Sequence, residues 1–127
     1  MNFRDYSPAE FSDLKGQTLH SILAVGEYGD DALHFVTETG LEYLMYHSQD
    51  CCENVQIEDV VGDLDDLIGS PILEAEVVTE DGDGQDESTM WTFYKIGTIK
   101  GHVNIRWHGS SNGYYSVSVD FDKVKSK

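Results

Sequence analysis

The sequence predicts a mainly β fold: one β-rich α+β domain spanning 1–127, with a short N-terminal helix and an antiparallel sheet of about seven strands, bent or split in two. Two observations carry that expectation. Short apolar runs follow one another with turn-forming clusters between them, and the last third alternates apolar and polar residues with a period of two. A chain of 127 residues fits one core and leaves no room for a second. A domain of this size hides roughly 65–70% of its unfolded surface, enough to fold without staples.

The N-terminal arm, 1–15, is expected to be helical. Ser7 stands three residues before Glu10 in capping-box spacing, Pro8 suits a first helical position, and Gly16 stops the run. Residues 17–25, 32–38 and 41–46 then read as a three-stranded meander, with Glu27-Tyr28-Gly29-Asp30 and Thr39-Gly40 as its turns. Residues 47–70 are irregular, with a strand in VQIEDVV and one helical turn in DLDDLIG. Residues 71–80 form a strand in which Glu74 and Glu76 alternate with Ile72, Ala75 and Val77, and 81–88 make an exposed polar loop. Strands at 89–99, 102–108 and 114–121 follow, and the basic tail 122–127 is expected to fray.

Charge is distributed unevenly. Eight basic residues stand against twenty-four acidic ones, a net of −16. Residues 16–94 hold nineteen acids and no lysine or arginine, whereas 95–127 carry six basic residues against two acidic ones. Neutralising phosphates takes many cations, so direct nucleic-acid binding is not expected. The sequence shows no 18-residue apolar run and no secretory h-region, so neither a membrane span nor export is expected. The two cysteines, Cys51 and Cys52, are adjacent. A bridge between them would be strained and close no useful loop, which points to two thiols in a reducing cytoplasm.

The candidate site lies on the last strands. A Lys100-Gly101 turn sets Lys95 opposite Arg106, Phe93 opposite His108 and Gly97 opposite Asn104. Val103, Ile105 and Trp107 then point into the core, while Asn104, Arg106 and His108 share the other face, joined by Tyr114 and Ser116. Two like charges directly opposite repel. An anion between them relieves that repulsion, and Phe93 or Tyr114 can stack on a ring. Carboxylates of the acidic block offer a second way to neutralise the same pair, tying this sheet to residues 47–80.

A second cluster, His47-Ser48-Gln49-Asp50-Cys51-Cys52-Glu53, gathers residue types used in zinc and nucleophilic chemistry, with His102 or His108 available to complete a tetrahedron. Adjacent cysteines do not match the usual spacing of zinc ligands, and cysteine is often buried without any chemistry. The acidic runs at 58–66 and 81–87 lack the spacing of a calcium loop. No metal site, no cofactor and no catalytic residue are therefore expected. Glu74, Glu76 and Glu80 fall on one face of a strand, like a row of phosphates.

The segments YHSQDCCENVQIEDVVGDLDDLIGSPILEAE (46–76) and TMWTFYKIGTIKGHVNIRWHGSSNGYYSVSVDF (89–121) resemble a family of small uncharacterised proteins encoded by phages and prophages. That resemblance covers Leu14 to Phe121 and implies an accessory protein of the bacterial host cytoplasm, of a kind that antagonises host defence. The resulting expectation is a non-enzymatic binding protein that captures a small anionic, nucleotide-like ligand on the C-terminal hairpin face. The alternatives are an acidic DNA mimic that occupies a host nucleic-acid-binding protein, and a zinc protein or enzyme centred on His47, Asp50 and Cys51. Exposed strand edges leave a homo-oligomer open.

Overall fold

The computed structural model describes residues 5–24, 32–47, 53–81, 88–111 and 118–125. Among these residues nine strands form two antiparallel sheets. One has five strands in the order β1 (Asp5–Pro8), β9 (Asp120–Lys125), β4 (Glu42–Tyr46), β3 (Ala32–Thr37), β2 (Leu19–Ala24). The other has four, in the order β5 (Asn54–Val61), β8 (Gly101–Ser111), β7 (Ser88–Thr98), β6 (Glu74–Asp81). The β2–β3–β4 meander and the strands in 54–61 and 71–80 stand where the apolar runs place them. No helix among the described residues is long and apolar enough to cross a membrane.

The inner faces follow from alternation. Val103, Ile105 and Trp107 on β8 are buried, as are Tyr94 and Ile96 on β7, while Leu33, Phe35, Tyr43 and Met45 supply the opposing face. Phe121 is a hub between the sheets. Its ring stacks on Tyr43 at 5.4 Å and meets Phe11 edge-on at 5.4 Å. Phe11 in turn meets Tyr94 at 4.8 Å. A Trp107 Nε1–H bond to Met45 Sδ, 3.2 Å long and buried, joins the two sheets at a second point.

Three expectations are corrected. From Asp5 onward the N-terminal arm holds no α-helix: Ser7 and Pro8 lie in β1, and only a 3-10 turn, Phe11–Leu14, follows. Because β1 is an edge strand, the missing N–H of Pro8 is tolerated there. The 3-10 turn aligns residues three apart, so Phe11 and Leu14 both reach the core.

The last strand also belongs elsewhere. Of the strand expected at 114–121, residues 114–117 lie outside the described residues, while Asp120 and Phe121 begin β9, which pairs with β4 and β1 in the other sheet. Residues 122–125, expected to fray, form most of β9, because Phe121 and Val124 are both buried and anchor the segment.

Third, the hairpin register differs by two residues. Thr98 pairs with Gly101, so the turn is Ile99-Lys100 and not Lys100-Gly101. Backbone carbonyls outside the hairpin hold it there. Thr98 Oγ1 donates to the Asp66 carbonyl at 2.5 Å and accepts from the Lys100 N–H at 3.2 Å, while Lys100 Nζ donates to the Ile68 carbonyl at 2.9 Å. Those carbonyls belong to and follow a second 3-10 turn, Leu64–Leu67, where the expected helical turn lies. A slip of two keeps every side chain on its expected face.

Candidate functional site

Three rows of residues cross the solvent face of the four-stranded sheet. Glu76, Lys95, Asn104 and Val61 form one, Val78, Phe93, Arg106 and Asp59 the next, and Glu80, Trp91, His108 and Gln56 the third. Phe93, Lys95, Asn104, Arg106 and His108 therefore share a face, as alternation requires. The direct Lys95–Arg106 pair is not formed. Lys95 faces Asn104 and Arg106 faces Phe93, which makes the two cations diagonal neighbours, about 7–8 Å apart at the backbone.

Arg106 is held by the acidic block. Its guanidinium lies 3.3 Å from Glu58 and 3.7 Å from Asp59. A bulge makes this possible: the β5 register shifts between Ile57 and Asp59, and the extra residue lets two consecutive acids approach one arginine. The guanidinium also stands 5.5 Å from the centre of the Trp91 ring, within cation–π range. Arg106 Nε is buried and has no hydrogen-bond partner among the described residues. Lys95 is exposed and makes no ion pair among the described residues.

Between these side chains lies a cleft of about 250 Å³, lined by Val61, Phe93, Lys95, Asn104 and Arg106. Beside it Trp91 and Phe93 stack with centroids 6.3 Å apart and planes 12° apart, and His108 tilts against Trp91 at 4.4 Å. Trp91, Glu58 and Asp59 are absent from the candidate residues read from sequence. Trp91 was legible in principle, since 91, 93 and 95 share a parity. The pairing with Glu58 and Asp59 depends on a bulge that no local pattern marks. Tyr114 and Ser116 lie outside the described residues.

The second cluster is represented by its two ends. His47 and Glu53 are buried, with 5% and 0% of their side chains exposed, and His47 Nε2 is 3.1 Å from Glu53 Oε2. The other ring nitrogen, Nδ1, is 2.7 Å from the Ser118 carbonyl. A carbonyl only accepts, so Nδ1 carries a proton, and the contact to Glu53 needs one more proton shared between imidazole and carboxylate. Both ring nitrogens are thus engaged in joining three chain segments. Gln49, Asp50, Cys51 and Cys52 lie outside the described residues. His102 sits against Glu74 at 3.2 Å and His108 against Trp91. No group of three or more metal-ligating side chains occurs among the described residues.

A family model for a domain of unknown function, DUF7448, matches residues 12–121. The chain belongs to the DUF7448 family. That span begins inside the first 3-10 turn and ends within β9, so the DUF7448 domain comprises both sheets apart from β1 and most of β9. Neither a curated protein nor a solved structure matches the chain.

Proposed function

We propose that this DUF7448 protein is a non-enzymatic binding protein that captures a small anionic, nucleotide-like ligand on the solvent face of its four-stranded sheet. The observation that supports this reading is the cleft that gathers Phe93, Lys95, Asn104 and Arg106. At about 250 Å³ it is smaller than the roughly 300–1,000 Å³ of a drug-sized pocket. It suits an anionic group, with an attached ring lying outside it over Trp91 and Phe93. Lys95 is available to the anion, and Asn104 supplies an amide.

Arg106 is shared with Glu58 and Asp59, but these contacts are half exposed, and such pairs are worth about 0–1 kcal/mol each. A compact phosphate competes with them at modest cost. The carboxylates at the rim, together with the net charge of −16, oppose a long polyanion and so favour a small ligand over a nucleic acid. A phage accessory role against host defence, drawn from the resemblance, belongs to this same proposal.

Titration of the protein with nucleoside mono- and diphosphates, followed by Trp fluorescence and calorimetry, tests it. Binding is expected to weaken at least tenfold in Lys95→Glu and in Arg106→Gln, with urea midpoints close to the parent. Absence of binding by any phosphate or carboxylate ligand, or binding indifferent to both substitutions, refutes the proposal.

A further inference from the structure

We infer that the outer edge of β6, which no strand covers among the described residues, is a docking site for an extended peptide of a partner protein in which apolar residues alternate with lysine or arginine. This surface is separate from the Lys95–Arg106 cleft, so neither reading rests on the other. β6 ends its sheet and pairs only with β7 among the described residues. Along it runs a cleft of about 710 Å³, between β6 and the segment of the other sheet that carries the first 3-10 turn. Its apolar lining includes Phe11, Val77, Met90, Tyr94, Val119 and Phe121. The edge is unusually greasy for exposed chain, with Leu73 63%, Val77 48% and Val78 42% exposed.

Backbone and pattern together specify the occupant. A strand added to β6 pairs through its main chain and sends alternate side chains to opposite faces. One set enters the cleft beside Ala75, Val77 and Thr79, where apolar groups are buried. The other set lies beside Glu74, Glu76 and Glu80, which are all accessible and share the solvent face. Cations are favoured there, and the chain's net charge of −16 draws a basic segment toward the edge.

A second copy of the chain is disfavoured in the registers centred on Val77 and Val78. A two-fold axis perpendicular to the sheet pairs residues of equal parity. With the axis on Val77, Glu74 faces Glu80 twice; with the axis on Val78, Glu76 faces Glu80 twice. Like charges directly opposite are destabilising, and acidic side chains on an edge are a recognised guard against self-pairing.

Fluorescence anisotropy with a labelled nonapeptide, Lys-Val-Lys-Ile-Lys-Val-Lys-Ile-Lys, tests this on the intact protein. Two versions are N-methylated, each on one alternate set of residues, and a third carries glutamate in place of lysine. An added strand turns only one set of N–H groups toward β6. One methylated version is therefore expected to bind at least tenfold more weakly and the other like the parent, while the glutamate version fails. In the double variant Glu76→Lys with Glu80→Lys the preference between lysine and glutamate peptides is expected to reverse, and Val77→Lys is expected to block the parent peptide. Because the peptide comparisons use the unaltered protein, they decide the matter even if a variant misfolds. Equal binding of both methylated peptides means attraction by charge alone and overturns the inference. So does failure of the parent peptide to bind, with or without self-association seen by sedimentation.

Discussion

The imidazole of His102 lies across Gly97 on the neighbouring strand and reaches Glu74 one strand further, with Nε2 3.2 Å from the carboxylate. A Cβ at position 97 would stand 2.4 Å from His102 Cδ2, so the glycine is what lets the ring lie flat. The ring is two-thirds exposed and free to turn aside. Gly97→Ala is therefore expected to break the His102–Glu74 contact yet change stability by less than about 1 kcal/mol, the scale of an exposed ion pair.

Gly62 is the contrasting case. Its φ is +112°, and a Cβ there would lie 2.6 Å from the His102 carbonyl oxygen, a backbone atom that cannot rotate away. Gly62→Ala combines strain with a clash and is expected to cost about 2–3 kcal/mol. Urea midpoints of the two variants, measured side by side, should differ in that order; equal midpoints would contradict the geometry.

Loss of one partner from the His47–Glu53 pair should be costly, since both side chains are buried. Glu53→Ala leaves a ring nitrogen without a partner inside the protein and is expected to destabilise by about 3 kcal/mol or more. Glu53→Gln is expected to be milder. A glutamine amide can donate to Nε2 of a neutral imidazole while Nδ1–H keeps its bond to the Ser118 carbonyl. Denaturant unfolding of both variants checks the ranking, and Glu53→Gln matching Glu53→Ala would rule out this hydrogen-bond assignment.

Stability at alkaline pH follows from the buried phenols. Burial first, and the negative charge of Asp120 second, hold the ionisation of Tyr94 far above that of an ordinary phenol. Tyr43 is raised as well, by burial and then by Asp13. A group whose ionisation is raised by folding contributes stability that is complete below its unfolded value. That contribution is lost as pH climbs past the ordinary phenol value, because the unfolded chain then releases a proton the folded one keeps. Unfolding free energy should stay level in this respect up to about pH 10 and then fall by about 1.4 kcal/mol per pH unit for each phenol held back. Urea unfolding at pH 8, 10 and 11 measures the slope, and Tyr94→Phe should make it shallower. Absorbance at 295 nm should show delayed ionisation within the set of seven tyrosines.

Alternation made the solvent face of β7 and β8 legible, because burying Val103, Ile105 and Trp107 leaves Asn104, Arg106 and His108 no other side. Register was harder to read. Lys100-Gly101 has turn chemistry, but Thr98 and Lys100 bond to the carbonyls of Asp66 and Ile68, more than thirty residues away, and those bonds move the turn. The same limit explains β9. Residues 122–127 read as a basic tail, and only the tertiary setting shows Val124, with Phe121, as an anchor between β1 and β4. At the N-terminus Ser7, Pro8 and Glu10 satisfy helix-start rules, yet Pro8 is equally at home in an edge strand, and pairing with β9 decides between them.

The bond from Trp107 to Met45 gives the sharpest test of how the two sheets are joined. The indole N–H is buried, and the Met45 sulfur, 3.2 Å away, is a weak acceptor. Met45→Leu keeps the volume and the apolar contacts, so packing alone predicts a loss of less than about 1.5 kcal/mol. It also strips the indole of its partner, which adds about 1–3 kcal/mol. In Trp107→Phe the N–H is gone, and that second cost should vanish when Met45→Leu is added. The double-mutant cycle is therefore expected to show a coupling of about 1 kcal/mol or more, with the double variant more stable than the sum of the singles requires. Trp107→Phe alone also opens space in the core, so the cycle, and not either single variant, carries the test. Strict additivity would mean that the sheets are held by apolar contact at this point and that the N–H···S bond contributes nothing measurable.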